Sequence, residues 1–258
     1  MIKINNFSFQ GINGAYSELA GKNIFPEAKS LPCTTFEEMF EAVKNNSADV
    51  AIVPIENSQA GRVADTQRLI PESELKIIGE YFLEVKHNLL VTHGTKMADI
   101  KRIHSHEQGI AQCRNKIIEL KKEMVIVADT AGAAKKISTL NNKEDAAIAS
   151  ELASKIYNLE VLETNFQDSK NNVTRFLVMA PQLNQINSDE TNILTTLVFT
   201  VRSIPASLYK CLGGFASNGV NITKLESYIH PQGFDVARFY IDFEGHPEQS
   251  SVKLALEE

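Results

Sequence analysis

The stretch QDSKNNVTRFLVMA, residues 167–180, joins a polar segment to an apolar strand. Its Asp, Ser and Asn residues favour a turn, because their side chains bond the local backbone. Arg175 instead opens the apolar run 176–179, which is predicted to be buried. A buried guanidinium needs a carboxylate partner, which its planar fork of donors matches. The pattern indicates either an ion pair with a local acid such as Asp168 or a site for an anionic ligand.

The position of Thr174 beside Arg175 adds a geometric condition. Successive side chains of a regular strand point to opposite faces. We therefore expect a strand at 175–180, with both residues reaching one ligand only from an irregular lead-in before it.

Strand-like and helical patterns alternate over the first 180 residues. The predicted strands are 2–9, 49–55, 84–92, 101–104, 124–128, 146–149 and 175–180, and helical periods lie between them. This alternation predicts an α/β fold with mostly parallel sheets.

Small polar residues follow five of the predicted strands: Ser17, Ser58, Ser105, Thr130 and Ser150. Such residues commonly cap helices, and this interpretation stays open for each of them. In a second interpretation, the strand ends face one crevice, where hydroxyls and helix N-termini bind an anion.

The segment ADVAIVPIENSQAGRV, residues 48–63, places Glu56, Asn57 and Ser58 directly after an apolar strand. Gly61 would allow a close approach of the backbone. An acid, an amide and a hydroxyl offer three kinds of hydrogen bond to a ligand with carboxylate and hydroxyl groups. A cap followed by a turn is the alternative explanation.

Two histidines in RIHSHEQGIAQC, residues 102–113, raise the question of a metal. His104 and His106 would share a strand face, but no third ligand follows at a recognisable spacing, so we predict no metal site. His106 is expected near a helix start, where it serves as a donor or a structural group.

Composition excludes several classes of protein. The 258 residues are 43% hydrophobic and 22% charged, which is typical of a globular protein with a real core. The net charge of -6 gives no general attraction to nucleic acid or to acidic membrane surfaces. No run approaches the roughly 20 apolar residues of a membrane span. We expect a cytoplasmic protein with three reduced cysteines.

A second domain is predicted after a polar, proline-containing linker at 181–193. The remainder predicts a strand (195–202), a helix (205–217), two strands (220–230 and 236–244) and a helix from 248. This order is most of a ferredoxin-like unit, and its last strand is expected to be missing.

Five motifs in this order resemble those of the prephenate dehydratase family. They are GINGAYSELA, FEAVKNNSADVAIVPIENSQAGRV, HSHEQGIAQC, DTAGAA and DSKNNVTRFLVM. Residues 194–258 are similar to the ACT regulatory domain that follows in that family, so the resemblance covers nearly the whole chain. It implies conversion of prephenate to phenylpyruvate, with loss of carbon dioxide and water, without a cofactor.

The resemblance also implies an architecture. The catalytic domain, 1–180, is expected to have two lobes like a periplasmic binding protein. Lobe one would comprise about 1–78 and 167–180, and lobe two about 79–166, with the active site between them. Residues 167–176 would then lie on or beside the return crossing.

The residues expected in the site come from the matching motifs. Arg175 would grip the pyruvyl carboxylate, and Thr174 would donate to the leaving hydroxyl with help from Asn57 and Ser105. Glu56 is the carboxyl of these motifs that could hold a proton if buried. The expected substrate-binding residues are Ser17, Ser58, Gly61, His106, Gln108, Thr130, Ala131 and Phe176.

The second domain is expected to bind L-phenylalanine as a feedback effector, within a homodimer or homotetramer. The expected effector site comprises Pro205, Ala206, Ser207, Leu208, Asn218, Gly219, Val220, Asn221, Glu226 and Ser227. A capped helix and a glycine turn explain most of these residues equally well. Ser227-Tyr228-Ile229 stands where the family usually has Ser-Arg-Pro, so regulation is less secure than catalysis.

Two rival functions are compatible with the sequence. The same fold and chemistry could act on arogenate, the amino-acid analogue of prephenate. Alternatively, the chain could be a non-catalytic sensor of small acids, since Ala15 stands where the family commonly has Thr. The intact Glu56-Asn57-Ser58 and Thr174-Arg175-Phe176 sets favour an enzyme.

Overall fold

The computed structural model describes residues 3–182, 192–230 and 233–258, without the side chains of 228–235. The chain divides into two compact units, Met1–Leu183 and Asn184–Glu258. The predicted linker 181–193 lies largely outside the described residues.

The first unit alternates strands and helices. In chain order it contains β1 (Asn6–Gln10), α1 (Tyr16–Ile24), β2 (Lys29–Cys33), α2 (Phe36–Lys44), β3 (Val50–Asn57), β4 (Gly61–Arg62), α3 (Ala64–Leu69), β5 (Lys76–Glu84), β6 (Asn88–Val91), β7 (Arg102–Ser105), α4 (Glu107–Gln112), α5 (Arg114–Glu119), β8 (Glu123–Ile126), α6 (Thr130–Leu140), β9 (Asp145–Ala149), α7 (Glu151–Ile156), β10 (Glu160–Glu163) and β11 (Val173–Ala180).

These strands form two sheets, which define two lobes. The sheet of lobe one has the order β2-β1-β3-β11-β5, with β4 paired to β3, and that of lobe two has the order β10-β6-β9-β7-β8. Only the pairs of β1 with β2 and β3, and of β7 with β8 and β9, are parallel. The expectation of mostly parallel sheets was wrong, because β11 and β6 enter the sheets antiparallel.

The apolar run of β3 explains the core of lobe one. Val50 and Ile52 pack into a cluster with residues of β1 and α1. Ala51, Val53 and Ile55 pack into a second cluster with residues of α2. A strand buried on both faces needs a continuous rather than an alternating apolar run. β3 is therefore a central strand, and its carboxyl end carries Glu56 and Asn57.

The chain crosses between the lobes at 85–87 and returns at 164–172. The first crossing lies later than the predicted boundary near residue 79, because β5 pairs with β11 along its whole length and so belongs to lobe one. The return segment leads directly into β11. Residues 167–172 therefore lie on the return crossing.

The second unit contains β12 (Leu194–Arg202), α8 (Ser207–Ser217), β13 (Ile222–His230), β14 (Gly233–Glu244) and α9 (Ser250–Glu257). The strands form one antiparallel sheet in the order β12-β14-β13. Its core contains Phe215, Ile241, Phe243 and Val252, which join the sheet to both helices. Within the described part of the chain, no helix is long and apolar enough to cross a membrane.

Candidate active site

The register of β11 against β3 places Thr174 directly opposite Asn57. The Asn57 side chain donates from Nδ2 to Thr174 Oγ1 over 2.9 Å and to Asn172 Oδ1 over 2.8 Å. Thr174 and Asn57 are half-buried, whereas Asn172 is 1% exposed. Two residues 117 positions apart in the chain thus form one hydrogen-bonded pair.

Backbone donors fix the direction of these hydrogen bonds. The N–H groups of Gln59 and Ala60 both donate to Asn57 Oδ1, at 3.0 and 2.9 Å. Because an N–H group can only donate, this atom is the amide oxygen and the other is the amide nitrogen. Thr174 must therefore accept from Asn57, and its own hydroxyl hydrogen is left to point elsewhere.

The hydrogen-bond network continues from Asn172 through Gln112 of lobe two to His87 in the first crossing. Asn172 Nδ2 donates to Gln112 Oε1 over 2.9 Å, and the Nε2 of His87 lies 2.7 Å from the same oxygen. An oxygen acceptor requires His87 to carry its hydrogen on Nε2. The Nδ1 of His87 then accepts from the Tyr16 hydroxyl, which lies 2.7 Å away.

Two donors remain at the ends of this network. They are the Thr174 hydroxyl and the Gln112 amide nitrogen, and neither finds an acceptor among the residues that the structure describes. Gln112 is half-buried rather than enclosed. The junction of the two lobes therefore presents two neutral hydrogen-bond donors, the Gln112 amide and the Thr174 hydroxyl.

Arg175 serves a different group of residues. Its Nε bonds Glu80 Oε2 over 2.7 Å, and its NH1 lies 3.2 Å from Glu56 Oε1. Arg175 is 7% exposed, and Glu56 stands opposite it on β3. Since Thr174 and Arg175 both lie within β11, strand alternation sends them to opposite faces. The expected irregular lead-in was wrong, and the alternative of an ion pair with an acid is met by Glu80 and Glu56.

Asp168 is occupied at the start of α5. Its carboxylate accepts from the backbone N–H groups of Asn115 and Lys116 at 2.9 and 3.2 Å, while its own N–H donates to Gln112 O. A carboxylate at a helix N-terminus satisfies free donors there. The return crossing thus holds Gln112 by its backbone as well as by its side chain.

Three other residues predicted near these motifs do not present free groups to a ligand. The Ser58 hydroxyl bonds Asn171 O and accepts from Val173 N, which ties β3 to the return crossing. Gly61 has a φ of +79°, which favours glycine, and no described atom lies within 4 Å of a Cβ added there. Phe176 is 1% exposed, within the core of lobe one.

The predicted residues of lobe two gather around Gly109. A Cβ built on Gly109 would lie 2.6 Å from Ser105 Oγ and 3.6 Å from Thr130 Cγ2, so both residues lie against this turn of α4. The Ser105 hydroxyl donates to Ile148 O over 2.8 Å and is fully buried, which leaves it no hydrogen for a ligand. His106 and Gln108 are half-buried and exposed, at the start of α4.

Helix caps account for only one of the five predicted junctions. Ser150 caps α7 by accepting from Ala153 N. At the other helix starts the N-caps are Ala15, His106 and Asp129, while Ser58 enters a turn before β4. Ser17 is the second residue of α1, half-buried, and the neighbouring Glu18 accepts from Gly14 N instead. Thr130 and the buried Ala131 open α6.

The two histidines of the segment 102–113 lie apart in function. His104 is buried within β7, and its Nε2 lies 2.7 Å from Asp145 Oδ1. Arg102 forms a two-pronged ion pair with the same carboxylate and holds the Asp145 pKa well below its usual range. His106 instead follows β7 and caps α4. In the described parts of the chain, no cluster of three or more His, Cys, Asp or Glu could hold a metal.

Burial sets the ionisation of the groups at the first crossing. It lowers the pKa of His87, whose side chain is enclosed, so the neutral imidazole is favoured. It raises the pKa of the Tyr16 hydroxyl well above its usual value, which keeps this group a hydrogen-bond donor. The Tyr16–His87 contact is therefore one between neutral partners.

The expected effector residues of the second unit occupy the two ends of α8. Ala206 is its N-cap, with a φ of +66° and no side-chain cap, and it follows the exposed Pro205. At the other end Asn218 donates to Gly214 O over 2.9 Å and Gly219 has a φ of +68°. The others lie nearby in the chain: Ser207, Leu208, Val220 and Asn221 at the helix ends, and Glu226 and Ser227 on β13.

Sequence reasoning missed Asn172, Gln112, His87 and Tyr16. Asn172 was read as a turn residue, although it is almost fully buried and bonds two side chains. Gln112 and His87 stand in segments that read as a plain helix and a plain strand. Neither residue stands out from its neighbours in the sequence, because only the fold brings His87 and Gln112 together.

Fold and site together define a class: a two-lobed α/β protein with oriented hydrogen-bond donors gathered where its lobes meet. The prephenate dehydratase family model matches residues 7–184, which is more than half of the chain. The chain belongs to the prephenate dehydratase family.

Three similar proteins illustrate how closely this chain resembles other proteins. A bifunctional N-acyl-homoserine lactone acylase/prephenate dehydratase of Komagataeibacter europaeus is 43% identical over 97% of this chain and 89% of its own. Arogenate dehydratase/prephenate dehydratase 2 of Arabidopsis thaliana, described as chloroplastic, is 40% identical over 96% of this chain and 68% of its own. The crystal structure of prephenate dehydratase of Arthrobacter aurescens in complex with L-Phe has 31% identity and a TM-score of 0.86, covering 98% of this chain and 84% of that one.

These findings confirm the predicted α/β fold class, the family and the lyase activity that dehydrates and decarboxylates prephenate. They leave the alternative of a non-catalytic sensor without support. The family match ends at residue 184, so the role of the second unit belongs to the proposals below.

Proposed function

We propose that Thr174 is the group that assists departure of the hydroxyl when this chain converts prephenate to phenylpyruvate. The observation that carries this proposal is the bond from Asn57 Nδ2 to Thr174 Oγ1, whose direction is fixed by the backbone donors on Asn57 Oδ1. Thr174 accepts there, so it is free to donate to a leaving oxygen. Accepting a hydrogen bond also strengthens the donation that it makes in turn.

The reaction asks little more of the protein than orientation and such donors. The bond between the ring and its carboxylate breaks, and its electron pair enters the ring as carbon dioxide leaves. The bond from the ring to the hydroxyl breaks in the opposite sense, since its electron pair leaves with the oxygen, and the departing hydroxide takes up one proton from solvent to become water. Aromatisation drives the process, so positioned neutral donors lower the barrier by stabilising charge on the departing oxygen.

The Gln112 amide nitrogen is the second proposed donor. It belongs to lobe two, whereas Thr174 belongs to lobe one, and the two side chains are joined through Asn172 and Asn57. A substrate that accepts from both residues would bridge the lobes. Thr174 and Gln112 would then hold the hydroxyl and a neighbouring acceptor in fixed positions.

The ends of α4 and α6 are proposed to hold the pyruvyl carboxylate. His106 and Gln108 lie at the start of α4, and Thr130 and Ala131 open the longer helix α6 beside Gly109. Helix N-termini favour negative charge. Arg175 is reassigned from this task, because its guanidinium already bonds Glu80 and Glu56 on the other face of β11.

Turnover of prephenate by the full-length chain tests this function. Phenylpyruvate is measured by its ultraviolet absorbance in alkali, against a sample without protein. We expect formation of phenylpyruvate in proportion to the protein added. A purified, folded chain that forms none above the uncatalysed rate would overturn the proposal.

Arogenate is the second candidate substrate. The Arabidopsis relative is named for both arogenate and prephenate dehydratase activity. The two substrates differ in an ammonium against a keto group, remote from the hydroxyl that leaves, so the same donors serve both. Competition between equal concentrations of the two substrates, with both products quantified, gives the ratio of their kcat/KM values.

Hydrolysis of N-acyl-homoserine lactones is a further candidate, favoured by the similarity to the bifunctional Komagataeibacter relative. Release of homoserine lactone from N-octanoyl-homoserine lactone would be measured with the wild type and with Thr174→Ala. We expect release by both proteins if the second activity uses other residues. Absence of release by the wild type would remove this candidate.

We also propose that the second unit binds L-phenylalanine and regulates the first, in an assembly of two or four chains. The Arthrobacter relative was crystallised with L-Phe, which supports an effector of this kind. The strained, exposed backbone at Ala206 and the turn at Gly219 are the proposed contact points.

A further inference from the structure

His87 occupies the point where both lobes and both crossings meet. It lies in the first crossing, with its side chain between Tyr16 of α1 in lobe one and Gln112 of α4 in lobe two. Its backbone is bonded to the return crossing, since its N–H donates to Gln167 Oε1 over 2.9 Å and its carbonyl accepts from Phe166 N over 2.7 Å. The residue is 2% exposed.

We propose that His87 is a positioning residue for the dehydration: its Nε2–H holds the Gln112 carboxamide oxygen and thereby turns the Gln112 amide nitrogen toward the substrate. The inference rests on the proposed function, in which that nitrogen is a donor. His87 itself does not touch the substrate.

Hydrogen-bond direction determines which way the Gln112 carboxamide faces. A carboxamide can bind in two orientations that differ by exchange of its oxygen and nitrogen. Gln112 Oε1 accepts from two donors, Asn172 Nδ2 and His87 Nε2. If the amide were rotated by 180°, its own NH2 group would face both of these donors. Two mismatched bonds make the reversed orientation costly, so the pair of donors selects the orientation that leaves N–H groups free.

Tyr16 completes the selection by fixing the tautomer of the imidazole. Its hydroxyl lies 2.7 Å from His87 Nδ1 and 3.0 Å from Lys86 O. Donation to Nδ1 places the imidazole hydrogen on Nε2. When the ring is protonated, Nδ1 donates to the Tyr16 oxygen and the hydroxyl turns to Lys86 O, so Nε2 remains a donor. The groups facing the ring are thus Tyr16 and Gln112, both uncharged.

A matched pair of substitutions separates positioning from a purely structural role. In His87→Gln, the terminal amide nitrogen reaches the place of Nε2 and can donate to Gln112, while in His87→Asn the shorter amide reaches only the place of Nδ1. We expect His87→Asn to lower kcat at least about tenfold with KM changed less than about threefold, and His87→Gln to restore most of that loss. Equal losses of kcat in both variants, in step with their losses of melting temperature, would overturn the proposal.

The pH profile distinguishes positioning from proton transfer. Because Nε2 donates in both protonation states, kcat of the wild type should not follow an ionisation that Tyr16→Phe moves. If kcat followed an ionisation that Tyr16→Phe shifts, His87 would act as a general acid or base, which would contradict the inference.

Nitrogen NMR of the imidazole gives a readout that needs no turnover. With 15N-histidine in the full-length protein, the neutral His87 ring should show the tautomer with hydrogen on Nε2. The opposite tautomer would overturn this inference whatever the activity. Failure of the wild type to convert prephenate would instead contradict the proposed function, so the two failures are distinguishable.

Discussion

Thr174 and Arg175 are neighbours in β11, yet they contact different groups because a strand alternates its side chains. Thr174 accepts from Asn57, and Arg175 bonds Glu80 and Glu56. An Arg–carboxylate cluster of this kind holds β3, β11 and β5 together at one end of the sheet. The arginine predicted as a ligand clamp contacts carboxylates on two neighbouring strands.

Replacing Arg175 by Lys should therefore cost stability more than binding. A lysine cannot form the planar, forked contact. Its ammonium group would therefore pair less well with the carboxylates of Glu56 and Glu80. Because both glutamates are about one-third exposed, we expect a loss of only about 1–2 kcal/mol in the free energy of unfolding. Urea unfolding measures the loss.

The matched control for Arg175→Lys is Glu80→Gln, which removes one carboxylate of the same cluster. Both variants should keep KM for prephenate within about threefold. An Arg175→Lys protein of normal stability with KM raised tenfold or more would return Arg175 to the substrate.

Asn57→Asp should reverse the direction of the hydrogen bond between residues 57 and 174. The new carboxylate still accepts from Gln59 and Ala60, but it cannot donate to Thr174. Thr174 would then donate to this carboxylate and lose its hydrogen for the substrate. We expect kcat to fall at least about tenfold although Thr174 is intact. Unchanged kcat would show that the direction of this bond does not matter to catalysis.

At the scale of elements, patterns of local sequence predicted most strands that carry apolar runs. The predicted strands 49–55, 101–104 and 146–149 correspond to β3, β7 and β9 within two residues. The two-residue strand β4 and the longer strands β2, β5 and β10 were missed. The sequences of β2, β5 and β10 (KSLPC, KIIGEYFLE and EVLE) contain proline, glycine or charged residues, which lower the local strand propensity. Pairing with neighbouring strands stabilises them instead.

Long-range hydrogen bonds explain what was missed at the site. Asn57, Gln112 and Asn172 lie in three different motifs, and only the crossing of the chain between lobes brings them together. The motifs were predictable as a set, but which of their residues face each other was not. Strand register decided that Thr174 pairs with Asn57 and Arg175 with Glu56.

The loop after β1 forms a second bridge between the lobes. Ser150 Oγ and Tyr157 Oη donate to the carbonyls of Gly14 and Asn13 at 2.6 and 2.7 Å. Gly14 has a φ of +93°, and a Cβ there would lie 2.9 Å from Ala153 Cα. The loop can approach α7 this closely only because residue 14 is glycine.

Gly14→Ala should thus weaken the fold by about 2–4 kcal/mol, from strained backbone and a collision with α7. The control is Gly61→Ala, because Gly61 has a similar φ of +79° but nothing within 4 Å of a new Cβ. It should lose only about 1–2 kcal/mol. Equal losses in chemical unfolding would contradict the importance of the contact between lobes.

The first crossing should make stability depend on pH. Burial lowers the pKa of folded His87 below the roughly 6.5 of an unfolded chain, so the unfolded state binds more protons as the pH falls. Its contribution is complete above about pH 6.5 and is lost as the pH falls toward the folded pKa, at up to about 1.4 kcal/mol per pH unit.

Unfolding by urea at pH 7.5 and 5.5 tests this dependence. The wild type should lose more free energy of unfolding between these pH values than His87→Gln, which has no titratable group there. An identical loss in both proteins would show that His87 does not contribute to the dependence.

At the scale of the whole molecule, the proposed regulation by L-phenylalanine makes a prediction for the intact chain. We expect heat of binding in titration calorimetry and a change in prephenate turnover at millimolar phenylalanine. Ala206→Gly relieves the φ of +66° at the start of α8 and changes a residue proposed to contact the effector. It should alter the affinity for phenylalanine while leaving turnover without effector unchanged.

Absence of both heat and inhibition with the wild type would remove the regulatory proposal and leave the catalytic one untouched. Light scattering with and without phenylalanine gives the number of chains in the assembly. We expect two or four chains, and a single chain in both conditions would contradict the proposed oligomer.

The central claim is that the Thr174 hydroxyl assists departure of the substrate hydroxyl. The most direct test compares kcat/KM for prephenate in the wild type, Thr174→Ser and Thr174→Ala. We predict that serine, which keeps the hydroxyl, retains most of the activity, and that alanine lowers it at least about tenfold, equivalent to about 1.4 kcal/mol of transition-state stabilisation. An alanine variant that folds normally and keeps kcat/KM within a few-fold of the wild type would contradict the claim.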